Sequence, residues 1–359
     1  MPENSSFPAS QPLLEKLCKK LKNHPKRIVF TDGEDIRVIR VAERMVALEI
    51  MVPILLGNKS KIEQMAANEN INLTFVSIIE PAKSSDIELF SKRLTKTTRY
   101  QQKEIANPQE LLARPHNFAA MMIQYGHADG MIAGNASSPA VVFRAAISMI
   151  APLPSALKVF GASVISAPHL QNFGNHGVLF MADCGVIPEP NIEQLSSIAI
   201  ETGKLAQHFI GRSPRVAMLS HSTKGSAGTK QAGTMAAATR LARQKAKEAL
   251  LEIEIDGELQ ADVALDAAAA EVKLPDRALL ESADVLVFPN LDAGHIALKL
   301  LEHIAGAQSY GQLIMGLARP AAQVPVTITE DRLLGTAILV GAEAIKSNNM
   351  QLEQENEPV

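Results

Sequence analysis

Three observations predict an α/β fold with mostly parallel sheets covered by helices. Short apolar runs recur along the chain, and they are uniformly apolar rather than alternating, as in strands covered on both faces. Longer segments of helical character separate them, which is the order of βαβ units. Hydrophobic residues make up 47% of the chain and charged residues 20%, a mix that fills a sizeable core and argues against disorder. Domains usually run ~100–200 residues. A chain of 359 residues is therefore expected to form two.

The elements follow in order. Arg27-Ile28-Val29-Phe30 is a first strand, followed by a helix over about 36–48. Val52-Pro53-Ile54-Leu55-Leu56-Gly57 is a second strand ending in a turn, and Gly130-Met131-Ile132-Ala133-Gly134 a third, shorter one. Ala151-Pro152-Leu153-Pro154 discourages both helix and sheet and marks a domain junction. Val178-Leu179-Phe180-Met181, Arg215-Val216-Ala217-Met218-Leu219-Ser220 and Ala283-Asp284-Val285-Leu286-Val287-Phe288-Pro289 are further strands. A second break is expected near 306–311. The first domain is thus placed at 1–152, completed by 311–359, and the second at 153–310. The polar tail from Asn348 onward is expected to fray.

Net charge is −3 and the isoelectric point about 6.3, so no bulk basic surface is available for nucleic acid. Residues 1–8 have neither a basic nor an apolar signal region, so no secretory leader is expected. The apolar stretches 337–342 and 178–182 are broken by Glu343 and Asp183 well before the ~18 positions that a membrane helix needs. Two cysteines, Cys18 and Cys184, make no disulfide framework, which points to a reducing compartment, the cytoplasm.

In such folds ligands sit where loops leave the carboxyl ends of strands. The segment Ile132-Ala133-Gly134-Asn135-Ala136-Ser137-Ser138-Pro139 leads into a helix carrying Arg144. Its small residues let the backbone approach a ligand. Ser138 before Pro139 has the pattern of an N-cap with proline at the first helical position, and a helix N-terminus with hydroxyls nearby suits an anion. An ordinary capped helix with a surface arginine is the plainer alternative. A second segment, 219–230, ends a strand in hydroxyls, glycines and lysines and reads as a phosphate cradle, or as a merely flexible loop. It lacks the Walker A spacing.

A third segment, Ile255-Asp256-Gly257-Glu258-Leu259-Gln260-Ala261-Asp262, holds three acids in a short span. The spacing fits no EF-hand and no His or Cys lies nearby, so a structural turn is expected instead of a metal site. The fourth, Phe288-Pro289-Asn290-Leu291-Asp292-Ala293-Gly294-His295, offers His295 as a base or as a helix-cap histidine. Without a carboxylate partner the cap role is the expectation.

Together these segments resemble the phosphate acetyltransferase and phosphate butyryltransferase family, over about 27–346. The resemblance is carried in order by Asp32-Gly33-Glu34-Asp35-Ile36-Arg37, the stretch from Gly134 to Arg144, Met181-Ala182-Asp183-Cys184, the stretch from Ala217 to Ala227, Asp256-Gly257-Glu258-Leu259-Gln260 and Phe288-Pro289-Asn290-Leu291. It implies two α/β domains with a ligand cleft between them, a homodimer, and reversible acetyl transfer between coenzyme A and phosphate. Coenzyme A and an acyl phosphate are then the partners, with coenzyme A a substrate and no resident cofactor or metal. Arg144 matches a family arginine that contacts the acyl phosphate. Arg93 matches a second arginine, with Arg99 competing for that role. Gly134, Asn135, Ser137 and Ser138 fall in the substrate-binding segment, and Ser220, Thr223, Lys224 and Ser226 match the strand-end loop facing the cleft.

One departure stands out. After the Arg/Lys-Pro that matches Arg319-Pro320, the family carries Asp-Leu-Ser-Arg-Gly, whose Ser and Arg are catalytic together with a later Asp. Anchored by Gly316-Leu317 and Gly335-Thr336-Ala337, the alignment puts Pro325 at the serine, Val326 at the arginine and Arg332 at the aspartate. Asp331 serves as the catalytic acid only if the register slips by one. His295 stands where the family has asparagine. Pro325 and Val326 side chains can neither donate to an oxyanion nor pair with phosphate. Two function classes follow: a phosphate acyltransferase with weakened catalysis, or a non-catalytic regulator that binds acetyl-CoA or acetyl phosphate. A dehydrogenase is a third reading, unsupported by any Gly-x-Gly-x-x-Gly.

Overall fold

A computed structural model describes residues 12–94, 96, 105–274 and 281–356. The chain divides into two compact units, one running to Leu153 and resuming at Leu317, the other spanning 154–316.

The first unit begins with α1 (Pro12–Asn23), β1 (Lys26–Phe30), α2 (Ile36–Ala47), β2 (Met51–Leu56), α3 (Lys59–Asn68) and β3 (Ser77–Ile79). It continues through α4 (Asp86–Leu94), α5 (Pro108–Leu112), α6 (Pro115–Gln124), β4 (Gly130–Ala133) and α7 (Pro139–Met149). The strands lie in the order β3-β2-β1-β4, every pair parallel, with Val29 opposite Ile54 on one side and Met131 on the other. Ile28, Val29, Phe30, Met131 and Ala133 are fully buried, which explains their uniformly apolar runs. α2 starts where the Asp35 side chain accepts from the Arg37 N–H, and it buries Val38, Ile39, Val41, Ala42 and Met45 on one stripe.

The second unit comprises β5 (Phe160–Ser166), β6 (Val178–Ala182), α8 (Ile192–Ile210), β7 (Arg215–Leu219), α9 (Lys230–Glu248) and β8 (Glu254–Leu259). It ends with α10 (Ala261–Leu265), α11 (Ala267–Lys273), β9 (Val285–Val287), α12 (Leu291–His303) and β10 (Gln308–Met315). Its strand order is β10-β5-β6-β9-β7-β8. The β10–β5 and β5–β6 pairs are antiparallel and the other three parallel. α8 opens with a reciprocal capping box between Asn191 and Gln194 and closes at Gly211 in the left-handed conformation (φ 81°).

The chain then returns to the first unit with β11 (Ala321–Gln323), parallel to β4, and α13 (Glu330–Asn356). α13 packs on α1, α2, β1 and β4. A side chain at Gly130 would meet Val340 at 2.5 Å, so glycine there permits the close approach of α13.

Both units are thus α/β, with mostly parallel strands covered by helices. The segment 255–262, expected to be a turn, instead forms most of β8 (through Leu259), in parallel register with β7, and the start of α10. Its acids and glycine imitate turn composition, but its main chain is bonded to β7 and its carboxylates are taken up by neighbouring donors, as described below. β5 and β10 were not legible as strands. Among the described residues no helix is long and apolar enough to cross a membrane.

Candidate active site

The first unit presents the carboxyl ends of β1, β4 and β11 side by side. Just after β1, Asp32 accepts from Thr31 Oγ1 (3.0 Å) and the Gly134 N–H (2.9 Å) at Oδ2, and from Ser137 Oγ (3.1 Å) at Oδ1. Gly134 sits at φ 122°, where a side chain would lie 2.2 Å from the Val324 carbonyl oxygen, so only glycine fits. The N–H and hydroxyl that composition offered to a phosphate are therefore already held by a carboxylate. Ser138 does occupy the N-cap position of α7, with Pro139 after it, but its side chain makes no capping bond. Ser138 and Arg144 are exposed, and the Arg144 guanidinium pairs with no described carboxylate.

Arg37 fixes the neighbouring segment. Its Nη1 donates to the carbonyls of Val326 (2.7 Å) and Ile328 (2.8 Å), and its Nη2 to the Asn135 carbonyl (3.2 Å) and to Asp35 Oδ2 (2.5 Å). Pairing with Asp35 raises the Arg37 pKa further, so the clamp stays charged. Asn135 is 2% exposed, and its Nδ2 is buried without a hydrogen-bond partner among the described residues. His116, on the first turn of α6, has a buried Nε2 that is also without a partner among the described residues. Burial pushes its imidazole below the usual value, against the pull of the Asp32 charge. Sequence reasoning missed His116, because nothing local in Pro115-His116-Asn117 distinguishes it.

Asp331 does not join this group. Its carboxylate pairs with Arg44 (2.8 Å), about two helical turns along α2 from Arg37. The adjacent Glu330 pairs with Arg40 (2.9 Å). Arg93 does not join it either. Its guanidinium lies 4.6 Å from the centroid of the Tyr125 ring, and the Tyr125 hydroxyl donates to the Arg93 carbonyl (3.2 Å). Tyr125 follows α6 and precedes β4, at the opposite end of that strand from Gly134. Arg99 lies outside the described residues. Pro325 is half-buried and Val326 exposed, and neither side chain supplies a donor.

In the second unit, the loop after β7 is held by the carboxylates of the neighbouring β8. Ser222 Oγ (3.0 Å) and the Gly225 N–H (2.5 Å) donate to Glu258 Oε1. Thr223 Oγ1 accepts from the Gln260 N–H (3.0 Å) and lies 3.3 Å from Gln260 Oε1. Ser226 Oγ accepts from the Thr223 N–H (3.0 Å), and Ser220 Oγ from the Ser222 N–H (3.2 Å). Lys224 pairs with Asp256, which Arg243 shares, and donates to the Gly257 carbonyl (2.8 Å). The hydroxyls and lysine read as a phosphate cradle are thus built into the loop. A cavity of about 540 Å³ borders it, lined by Lys224, Gly225, Thr229, Gly233, Arg240 and Arg243 among others. Asp262 pairs with Lys273 (2.6 Å), so the three acids meet separate cations and donors.

Two further positions are clarified. His295 is exposed within α12 and does not cap it; Asn290 does, accepting from the Ala293 N–H (2.9 Å). Asp183, after β6, accepts from the N–H groups of Gly161 (3.0 Å), Gly185 (2.8 Å), Val186 (3.1 Å) and Ile187 (2.7 Å). Burial and the Asp183 charge push the neighbouring Cys184 thiol far up, so it is no thiolate nucleophile.

Known proteins resemble this chain over most of its length. The family model described as phosphate acetyl/butaryl transferase matches residues 12–341. A phosphate acetyltransferase from Acetivibrio thermocellus is 33% identical over 331 residues, covering 92% of this chain and 98% of that one. The EutD phosphotransacetylase from Staphylococcus aureus superposes with a TM-score of 0.83 at 32% identity, over 92% of this chain and 98% of that one. A phosphotransacetylase from Streptococcus pyogenes gives a TM-score of 0.84 at 28% identity, over 93% and 98%.

Proposed function

The chain belongs to the phosphate acetyl/butaryl transferase family, and we propose on that premise how its own residues serve reversible acetyl transfer between coenzyme A and phosphate. In the direction of acetyl-CoA, the thiol sulfur attacks the acyl carbonyl carbon and a carbon–sulfur bond forms. The carbon–oxygen bond to phosphate then breaks, and phosphate leaves with the electron pair. The thiol proton passes to a base or to the departing phosphate. Coenzyme A enters as a substrate, and we read the working unit as a cytoplasmic homodimer.

The observation that carries this reading is the carboxyl end of β4, with the exposed Arg144, which pairs with no carboxylate among the described residues, on the helix that follows. Arg144 is assigned to the phosphate group, where a planar guanidinium gives charge-assisted, two-pronged contact. Ser138 Oγ, at the N-cap with no capping bond, is a second contact. Asp32 holds Gly134 and Ser137 as the frame of that loop. In the second unit, Ser220, Thr223, Lys224 and Ser226 bind substrate through the surface of a loop that Glu258 and Asp256 keep in shape.

Turnover is expected to be weak, because Pro325 and Val326 bring no donor and Asp331 is engaged by Arg44. The same observation favours a second reading, a non-catalytic protein that binds acetyl-CoA or acetyl phosphate. A phosphate-dependent acetyl-CoA assay on the purified protein, with coenzyme A binding by calorimetry, decides between them. Binding with turnover supports the transferase, and binding without turnover supports the regulator.

A further inference from the structure

We propose that the outward edge of β8 is a pairing surface for a second copy of this chain, held shut by a clasp of Lys224, Asp256 and Arg243. Among the described residues β8 pairs with β7 alone and ends the strand order of the second unit. A strand in that place turns N–H and C=O groups to its open side, and such a row recruits other strands.

Main-chain groups of alternate strand residues point to opposite sides. The Glu254 N–H turns inward, to the carbonyl of Pro214 just before β7 (3.0 Å), so Ile255 and Gly257 turn outward. Side chains meet three of their four groups. Arg243 Nε, from α9, donates to the Ile255 carbonyl (2.5 Å). Lys224 Nζ, from the loop after β7, donates to the Gly257 carbonyl (2.8 Å). The Gly257 N–H donates to Asp256 Oδ1 (2.9 Å). Both cations also pair with Asp256, so one carboxylate ties them down. Two cavities flank the clasp. One of about 400 Å³ is bordered by Arg243, Ile255 and Asp256, the other, of about 540 Å³, by Arg243, Lys224 and Gly257. The Arg243 side chain is itself 43% exposed. Solvent therefore reaches the clasp, and the clasp stands between the edge and a partner.

A second copy fits this edge by symmetry. With a two-fold axis at Asp256, antiparallel pairing sets Ile255 opposite Gly257 of the second copy, and the reverse. Each of these pairs exchanges two main-chain hydrogen bonds. The same axis sets the two Asp256 residues directly opposite each other, and like charges so placed oppose pairing. Asp256 therefore guards the edge twice, by taking the Gly257 N–H and by its own charge. Arg243 and Lys224 guard it by taking the two carbonyls.

Light scattering on the purified full chain, over a range of concentrations, tests the proposal against wild type. Lys224→Ala, Asp256→Thr and Arg243→Ala together open all three guarded groups. Asp256→Thr with Arg243→Met is a milder variant that spares Lys224, and it decides the question should the first not fold. Each should self-associate at least ~10-fold more tightly than wild type, from the main-chain hydrogen bonds gained. Amide exchange across 254–259 should slow as concentration rises. Adding Ile255→Pro deletes an outward N–H, which an edge strand tolerates, and should restore the wild-type mass. Wild-type mass at every concentration, in a variant with unchanged circular dichroism, overturns the proposal. Association that Ile255→Pro leaves in place also overturns it, because another surface then drives the contact.

Discussion

At Asp32 a carboxylate takes the donors that a phosphate would otherwise meet. On the proposed reading phosphate recognition falls to Arg144, whose guanidinium is exposed and pairs with no carboxylate among the described residues. Arg144→Ala should weaken acetyl phosphate binding by about 1.5–3 kcal/mol, the contribution of a hydrogen bond to a charged group, as read by calorimetry. His116 gives a second expectation. Its folded pKa lies below the unfolded value near 6.5. The unfolded chain therefore takes up the proton first as pH falls. The stability tied to neutral His116 is fully present above about pH 6.5 and is lost as pH drops below it toward the folded pKa. His116→Asn should accordingly lose less thermal midpoint than wild type between about pH 7.5 and pH 5. The Asp32 contacts were not legible locally. Asp32 is 102 residues from Gly134 and 105 from Ser137, so only the parallel pairing of β1 with β4 brings the acid to the loop.

Among the elements, the helix starts and apolar strands were legible because their signals are local. The Ser138-Pro139 pair marks the start of α7, and the runs at β1, β4 and β7 mark strands buried on both faces. β5 was missed because Gly161, Ser163 and Ser166 interrupt its apolar character. β8 was misread because Asp256, Gly257 and Glu258 look like a turn until Lys224, Arg243 and Ser222 are seen to meet them. The segment between β11 and α13 holds the clearest chemical gap, Pro325 and Val326. Pro325→Ser, Val326→Arg and Arg332→Asp introduced together should raise kcat by ~10²-fold or more if the lost donors limit turnover. Asp183 serves the end of β6 in a different way, as acceptor to four backbone N–H groups. Asp183→Ala leaves those groups without it. Each orphaned group costs about 1–3 kcal/mol without strict additivity, so urea unfolding should show a loss of at least ~3 kcal/mol.

At the scale of the whole molecule, the α/β class was open to sequence reading because covered strands and their intervening helices repeat many times. The antiparallel pairing of β10 with β5 was not, since Gln308 meets Ser166 across a long stretch of chain. The first unit is assembled from two pieces of chain, with β11 and α13 arriving only after the second unit has been traversed. That order matters during synthesis. A ribosome delivers 154–316 as one continuous piece, so the second unit has all its strands while the first still lacks its final ~40 residues. At ~5–20 residues per second this lasts for a few seconds. Throughout it β4 is a bare parallel edge, and the surfaces that α13 will cover on α1, α2 and β1 face water. An apolar edge of that kind recruits other strands. The nascent first unit is therefore most exposed to aggregation once the second unit has been made and before β11 and α13 arrive.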